Sequence, residues 1–385
     1  MKASFVRVLA VALASVLPLV SPGGTDDVDR TDPNFVTASL MVAGPGGALF
    51  SCVGHAFIRL ECPTFKLDYC FSYESEEVSG RVFGFLSGKL KMGMYAIPTA
   101  EYLKTYREEG RSVTQYVLEL PPDVKQRFWK IMDDKVTEGI ELPYDFENRG
   151  CARAIVVNLK EALKPLQMEQ PRLPEIYGKT RRELTARALS RFHWTRFALH
   201  SVCGVAADRD LRNAEKVVMP ADLLEFLKGA RVNGRPVLSE KGEPVLLSVC
   251  QIGESMFTPI MMSWLLVGLS LAGWFVRRSR LNGVINVFLI GIQSILGFYM
   301  TYMVFLSRLP TTGWNWLIVP FNPLPLVFWR WRRYWAWGFV AVLLAWEAFM
   351  LLSPHQLTDP AYLVIVFAYV IFYVKVARTP VTKFT

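Results

Sequence analysis

The chain has 385 residues, 52% of them apolar, and a formal net charge of +9. That length leaves room for more than one domain. The basic excess does not point to nucleic acid, because much of it sits in short clusters beside hydrophobic segments: Arg277, Arg278 and Arg280, then Arg330, Arg332 and Arg333, then Lys375, Arg378 and Lys383. No GxGxxG, P-loop, zinc-ligand pair or EF-hand loop occurs, so no cofactor and no metal is expected.

The N-terminus reads as a secretory signal over residues 1–24. Lys2 and Arg7 flank the start of an apolar run, Val8 to Val20, which is short for a membrane span. Cleavage is expected near Gly23 or Gly24, and an uncleaved anchor is the alternative. Export permits disulfides. Six cysteines precede the first apolar span: Cys52, Cys62, Cys70, Cys151, Cys203 and Cys250. Cys62 and Cys70 bracket a short segment and could bridge; other pairings stay open.

Residues 25–250 have a globular composition. Ser39–Ala43 reads as a strand, and Gly44-Pro45-Gly46-Gly47 as a turn. The next strand carries His55. Its alternation puts Ala56, Ile58 and Leu60 on one face and His55, Phe57 and Arg59 on the other. Phe65–Tyr73 reads as a third strand, Glu101–Glu109 as a helix and Thr114–Leu120 as a fourth strand. Ile155, Val156, Leu159 and Leu163 recur at helical spacing, so Cys151 sits at a helix N-terminus, where the dipole favours thiolate. The expected fold class is α+β, with a small mixed or antiparallel sheet and the cysteine's helix packed against it.

Thr180–His200 reads as one basic amphipathic helix. Leu184, Ala188, Phe192, Thr195 and Leu199 form its apolar stripe, with Arg187 and Arg191 opposite. It suits either a membrane surface or a core-packed helix with solvated arginines.

Five apolar stretches follow: Met256–Val276, Gly283–Leu306, Trp314–Trp329, Trp335–Leu352 and Ala361–Val376. A span needs about 20 apolar residues. The third is short and holds Pro320, Pro323 and Pro325, as a broken helix or re-entrant loop does. With the globular part outside, five crossings put every basic cluster on the cytoplasmic side, whereas four would turn Arg330–Arg333 outward. Residues 251–385 are thus expected to be a multi-pass membrane domain. Asn315, Asn322 and Glu347 lie at membrane depth or its rim, as functional groups or as structural caps.

A thiol at a helix start, with an imidazole delivered by a sheet, is the minimum apparatus for acyl transfer through a thioester. The ordinary alternatives are a structural histidine at a strand edge and a buried cysteine acting as a small hydrophobe. Cys52 is the rival thiol, but its strand parity turns it to the other face. Tyr69, Ser72 and Asp68 are candidates to orient His55. His193, His200 and His355 read as ordinary surface or boundary residues.

Several stretches taken together carry a resemblance. They are Gly54-His55-Ala56-Phe57-Ile58-Arg59-Leu60, Asp68-Tyr69-Cys70-Phe71-Ser72-Tyr73, and the run from Phe85 through Gly88, Tyr95 and Tyr106 to Glu109-Gly110-Arg111-Ser112-Val113. Tyr144-Asp145-Phe146 leading into Cys151 follows, then Trp314-Asn315-Trp316 and Asn322-Pro323-Leu324. In their order and spacing the chain resembles the Lnb family of bacterial lipoprotein N-acyltransferases over most of its length. Two positions depart from that pattern: Gly150 precedes Cys151 where the family has Asn, and Cys70 stands where Gly is usual.

The resemblance implies a permuted papain-like periplasmic domain followed by five transmembrane helices in the bacterial inner membrane. It implies Cys151 as nucleophile and His55 as general base and acid. The acyl donor is then a phospholipid, and the acceptor is the N-terminal amine of a diacylglyceryl-cysteine lipoprotein. Two other classes remain: a membrane-tethered cysteine hydrolase of the same fold, acting on a peptide, amide or lipid ester, and a non-catalytic module binding lipoprotein or lipid.

Overall fold

The structure is a computed structural model and describes residues 29–48, 51–75, 82–139, 141–143, 150–171, 178–250, 255–276, 279–352, 356 and 358–379. The expected signal segment, Tyr144-Asp145-Phe146, Arg277, Arg278, His355 and Lys383 lie outside them.

Among the described residues, one sheet is built from β1 (Thr37–Ala43), β2 (His55–Cys62), β3 (Leu67–Ser75), β4 (Lys91–Pro98), β5 (Val113–Val117), β6 (Leu142–Pro143) and β7 (Glu243–Leu246). The order is β7-β5-β1-β2-β3-β4-β6, with every neighbouring pair antiparallel. The sheet is therefore larger than expected and not mixed. β4 is silent in the sequence because Gly93 interrupts its pattern.

The alternation of β2 sorts its two faces. Ala56, Ile58 and Leu60 enter the larger core, which α3 (Pro122–Glu138), α4 (Cys151–Ala162) and α7 (Pro220–Gly229) cover with Phe128, Met132, Ile155, Leu159 and Phe226. Each of the larger side chains among them contributes about 1.5–3 kcal/mol by leaving water. Phe57, Cys70 and Val113 face the other way, under Tyr102 and Tyr106 of α2 (Thr99–Glu108), which follows the short α1 (Val82–Leu86). The sheet is the middle layer of a three-layer domain. Cys62 and Cys70 do not bridge. Cys62 lies across from Leu67 and Cys70 across from Arg59, so opposite parity turns the two thiols to opposite faces.

The helix expected over 180–200 is two helices, α5 (Arg181–Ala188) and α6 (His193–Val202). A capping box between Thr180 and Glu183 starts α5. The break has a physical cause. Arg182 is buried, and a buried guanidinium requires acceptors. It finds them in Asp208 at 2.8 Å and in the carbonyls of His200, Cys203 and Gly204 at 3.1, 2.8 and 3.0 Å, all beyond a chain reversal. His200 is not a surface residue: burial, then Arg182 and Arg196, push its imidazole down to about 3. The Arg182–Asp208 side chains are 2% and 4% exposed, so Arg182→Ala breaks a buried ion pair. We expect it to cost about 3–5 kcal/mol. Thermal unfolding of the detergent-solubilised protein checks this, and an unchanged midpoint overturns it.

Among the described residues, three helices are long and apolar enough to cross a membrane, over Arg280–Phe305, Tyr334–Leu352 and Pro360–Arg378. They belong to α9 (Ser279–Phe305), α11 (Arg332–Leu352) and α12 (Pro360–Arg378); α8 (Pro259–Phe275) is apolar but shorter. The third apolar stretch is not one helix. It is a 3-10 turn at Trp316–Ile318, the one-turn α10 (Leu324–Val327) and a second 3-10 turn at Trp329–Trp331. Its prolines forbid a continuous ladder, and neighbours take up the freed groups. Gln293 of α9 donates to Pro320 O at 3.1 Å, and Trp346 of α11 to Trp316 O at 2.8 Å. Gly297 of α9 permits this approach, since a Cβ there would lie 2.5 Å from the Asn322 backbone.

One end of this bundle meets the globular domain through α6. Trp194 donates to Phe257 O at 2.8 Å, Phe197 stacks on Tyr362, and Arg196 reaches Asp359 at 3.3 Å. Asn315 is a structural tie there: it donates to Ser201 O at 2.8 Å and accepts from Gln356 at 2.9 Å. Asn322 accepts from Leu324 N, at the start of α10, at 3.1 Å, and Glu347 lies partly buried on α11. At the far end Arg378 sits over the Trp274 ring, and Lys375 is bonded to Asn282 and Asn286.

Candidate active site

The site forms where β2 begins. Gly54, at φ +83°, carries the chain into the sheet, and a Cβ there would lie 2.7 Å from Ala43 O, so only glycine fits. The next residue is His55, held across from Ala43 of β1. α4 packs on the neighbouring face and presents Cys151 as its first residue. Its N-cap, Gly150, is extended and makes no side-chain bond, so the first-turn N–H groups keep their field toward the sulfur.

The structure brings these two residues together. The Cys151 sulfur is hydrogen-bonded to the His55 imidazole and accepts from the backbone N–H of Ala56. Burial alone raises this thiol, but the His55 charge and hydrogen bond outweigh it and hold Cys151 below the usual thiol range. Burial likewise depresses His55, yet Cys151 and then Glu74 carry it up to about 9, against a smaller opposing push from Arg111. Each partner favours the other's charged form, as in an imidazolium–thiolate pair. Cys52 and Cys70 behave oppositely: burial pushes them up to about 11 and about 12.

Of the three candidate orienters, the structure brings Ser72 to His55. Nε2 lies 2.8 Å from Ser72 Oγ, and Ser72 donates to Glu74 Oε1 at 2.8 Å. Tyr102 donates to Ser72 at 2.9 Å and to Glu74, and Tyr106 donates to Tyr102 at 3.1 Å. Burial first, then Glu74, raises both phenols, so they act as neutral donors. With Nε2–H given to Ser72, the remaining ring nitrogen is free to serve the thiol. Tyr69 is not brought to His55. It lies across from Leu60 and packs on the larger core, on the other face of β3. Asp68 is taken by Arg59 and Thr99.

Glu74 escapes the sequence reading. Extending the register from Ile58↔Phe71 by three residues sets it across from His55, with Nε2 3.6 Å from its Oε1. Its parity matches that of Ser72, which was the available signal. Because Glu74 raises His55, Glu74→Gln is expected to let the imidazolium lose its proton at lower pH. The alkaline limb of Cys151 alkylation by iodoacetamide should move down in pH; a profile identical to wild type removes Glu74 from the site's electrostatics.

Two family models match the chain: residues 27–187 fit the Lnb N-terminal periplasmic domain, and residues 251–379 fit the Lnb transmembrane domain. No curated protein and no solved structure matches it. A periplasmic domain joined to a helical transmembrane part makes this a membrane protein with a periplasmic domain.

Proposed function

The chain belongs to the Lnb family, and from that premise we propose that it is a lipoprotein N-acyltransferase with Cys151 as nucleophile and His55 as base and acid. The single observation carrying this reading is the hydrogen-bonded Cys151–His55 pair, with the thiol held down and the imidazole up. The Cys151 thiolate attacks the acyl ester carbonyl of a phospholipid. The backbone N–H of Cys151 at the helix start receives the oxyanion. As the C–O bond breaks, protonated His55 gives its proton to the departing glycerol oxygen, releasing lysophospholipid and leaving a thioester.

The α-amino group of a diacylglyceryl-cysteine lipoprotein then attacks. Its pKa of about 8 leaves a usable neutral fraction. His55 takes the amine proton, the thiolate departs, and an amide remains. One ester is exchanged for one amide, with no redox change.

Roles follow geometry and not chain order, so His-before-Cys suits a permuted papain-like sheet. Residues 25–250 are the periplasmic catalytic domain and 251–385 the membrane domain of an inner-membrane protein. Five crossings fit the alternation of near-end and far-end contacts along α8, α9, the broken third segment, α11 and α12. They also fit the basic clusters, with Lys375 and Arg378 at the far end.

The test is to incubate the purified protein with a phospholipid carrying a labelled acyl chain, then add a diacylated lipopeptide. Label on Cys151 that moves to the peptide amine is expected. Loss of label only to water marks a hydrolase, and no label on Cys151 marks a binding module; both overturn the transferase.

A further inference from the structure

A cleft of about 470 Å3 opens beside the His55 end of the sheet. Its walls are Pro45, Ser112, Ser190, Arg191, Phe192 and Ser248. Three contacts fix its position. Pro45 follows Gly44, which donates to Ser112 O at 2.9 Å, one residue beyond the Ala43–His55 pair. Ala188, also on the wall, packs in one cluster with Val53, two residues before His55. Phe192 is the N-cap of α6, the helix docked on the membrane bundle. The cleft thus lies between the thiol's end of the sheet and the bilayer side of the domain.

Its chemistry is that of an anion receptor, with the Ser112 and Ser190 hydroxyls and one guanidinium as donors among its walls, while Ser248 gives its proton to Gly110 O at 3.2 Å. Behind them is Arg111, whose side chain is 6% exposed. Its Nε donates to Gly44 O at 2.9 Å, its Nη1 to Glu109 at 3.0 Å, and its guanidinium lies over the Tyr106 ring. Nη2 is buried with no hydrogen-bond partner. A buried, incompletely satisfied cation is costly without a compensating anion. Glu109 offsets part of this charge but is half exposed. The His55 imidazole also feels Arg111, which places its charge within reach of the thiol's neighbourhood.

We propose that this cleft is the phosphate subsite of the acyl donor: Arg191 and the hydroxyls of Ser112 and Ser190 hold the phosphodiester, with the Arg111 charge behind them. The proposal rests on the acyltransferase reading and names how that site selects its substrate. A phosphodiester is a permanent anion with acceptors only, and this wall supplies donors and positive charge. A neutral glyceride with the same acyl esters offers it nothing. Holding the headgroup here brings the ester to Cys151 as an intramolecular partner, so the phosphate acts through positioning.

Two readouts on the full-length protein in mixed micelles test this. The first is the rate of Cys151 acylation from a phospholipid and from a diacylglycerol. Wild type should favour the phospholipid at least tenfold in half-saturating concentration. Arg191→Gln combined with Ser190→Ala should erase that preference while leaving the diacylglycerol rate in place. Alkylation of Cys151 by iodoacetamide serves as the folding control. The second uses Cys250, which lines the same cleft. In a Cys151→Ser background, phospholipid vesicles should slow its modification by a maleimide, and neutral-lipid dispersions should not. Equal use of both donors by wild type, or equal loss on both in the double variant, overturns the subsite. Absence of acyl-enzyme from either donor overturns the acyltransferase reading instead, and selective shielding of Cys250 would then still support a phosphate site.

Discussion

Cys151→Ser is expected to lower acyl transfer to a lipopeptide amine by at least about a thousandfold, since members of a catalytic unit fail together. The substitution keeps shape and hydrogen-bonding capacity but loses the charge state. The thiol is held below its ordinary range by the imidazolium and by the Ala56 N–H. An alcohol beside the same imidazole stays protonated, because its proton is held far more tightly than a thiol's. The nucleophile is then no longer pre-ionised. Label transfer from acyl-phospholipid in membranes measures this. In cells, mass spectrometry of lipoprotein N-termini should show their N-acyl chain lost with Cys151→Ala. Restoration to wild-type level by that variant removes Cys151 from the mechanism.

His55→Gln is expected to cost about 10²–10⁴ in transfer rate, the usual contribution of a general acid–base. Two effects separate with pH. Without the imidazolium, only the Ala56 N–H opposes the rise that burial causes in the thiol, so iodoacetamide alkylation near pH 7 should fall. The sign is explicit: the wild-type ion pair lies above the lowered thiol pKa and below the raised imidazole pKa, near 9. Raising the pH should therefore restore alkylation in the variant, because hydroxide replaces the base. It should not restore transfer, because the departing glycerol oxygen still lacks its proton donor. Parallel recovery of both reactions would confine His55 to thiol ionisation. Full alkylation at pH 7 in the variant would remove the ion pair altogether.

Local order was legible where periodicity is short. The alternation of Ala56, Ile58 and Leu60 against His55, Phe57 and Arg59 is a period-two pattern, and it places side chains by itself. The helix after Cys151 announces itself through Ile155, Val156 and Leu159, so a thiol at its start needs no tertiary information. The apolar stretches and their basic flanks are local too, and the prolines of the third predict its broken backbone. The capping box of Thr180 and Glu183 is equally local, but the end of that helix is not. It depends on Arg182 finding acceptors near Gly204, which no window of sequence contains.

The sequence by itself determined which residues could ionise, which faces are apolar and where the chain is too hydrophobic to stay in water, because these are properties of neighbours along the chain. Only the tertiary structure decided what stands behind the imidazole. Tyr69 and Glu74 lie on the same strand five residues apart, and a single step of parity sends one to the core and the other to His55. That choice depends on strand register, which is set by packing across the whole sheet and not by any local preference.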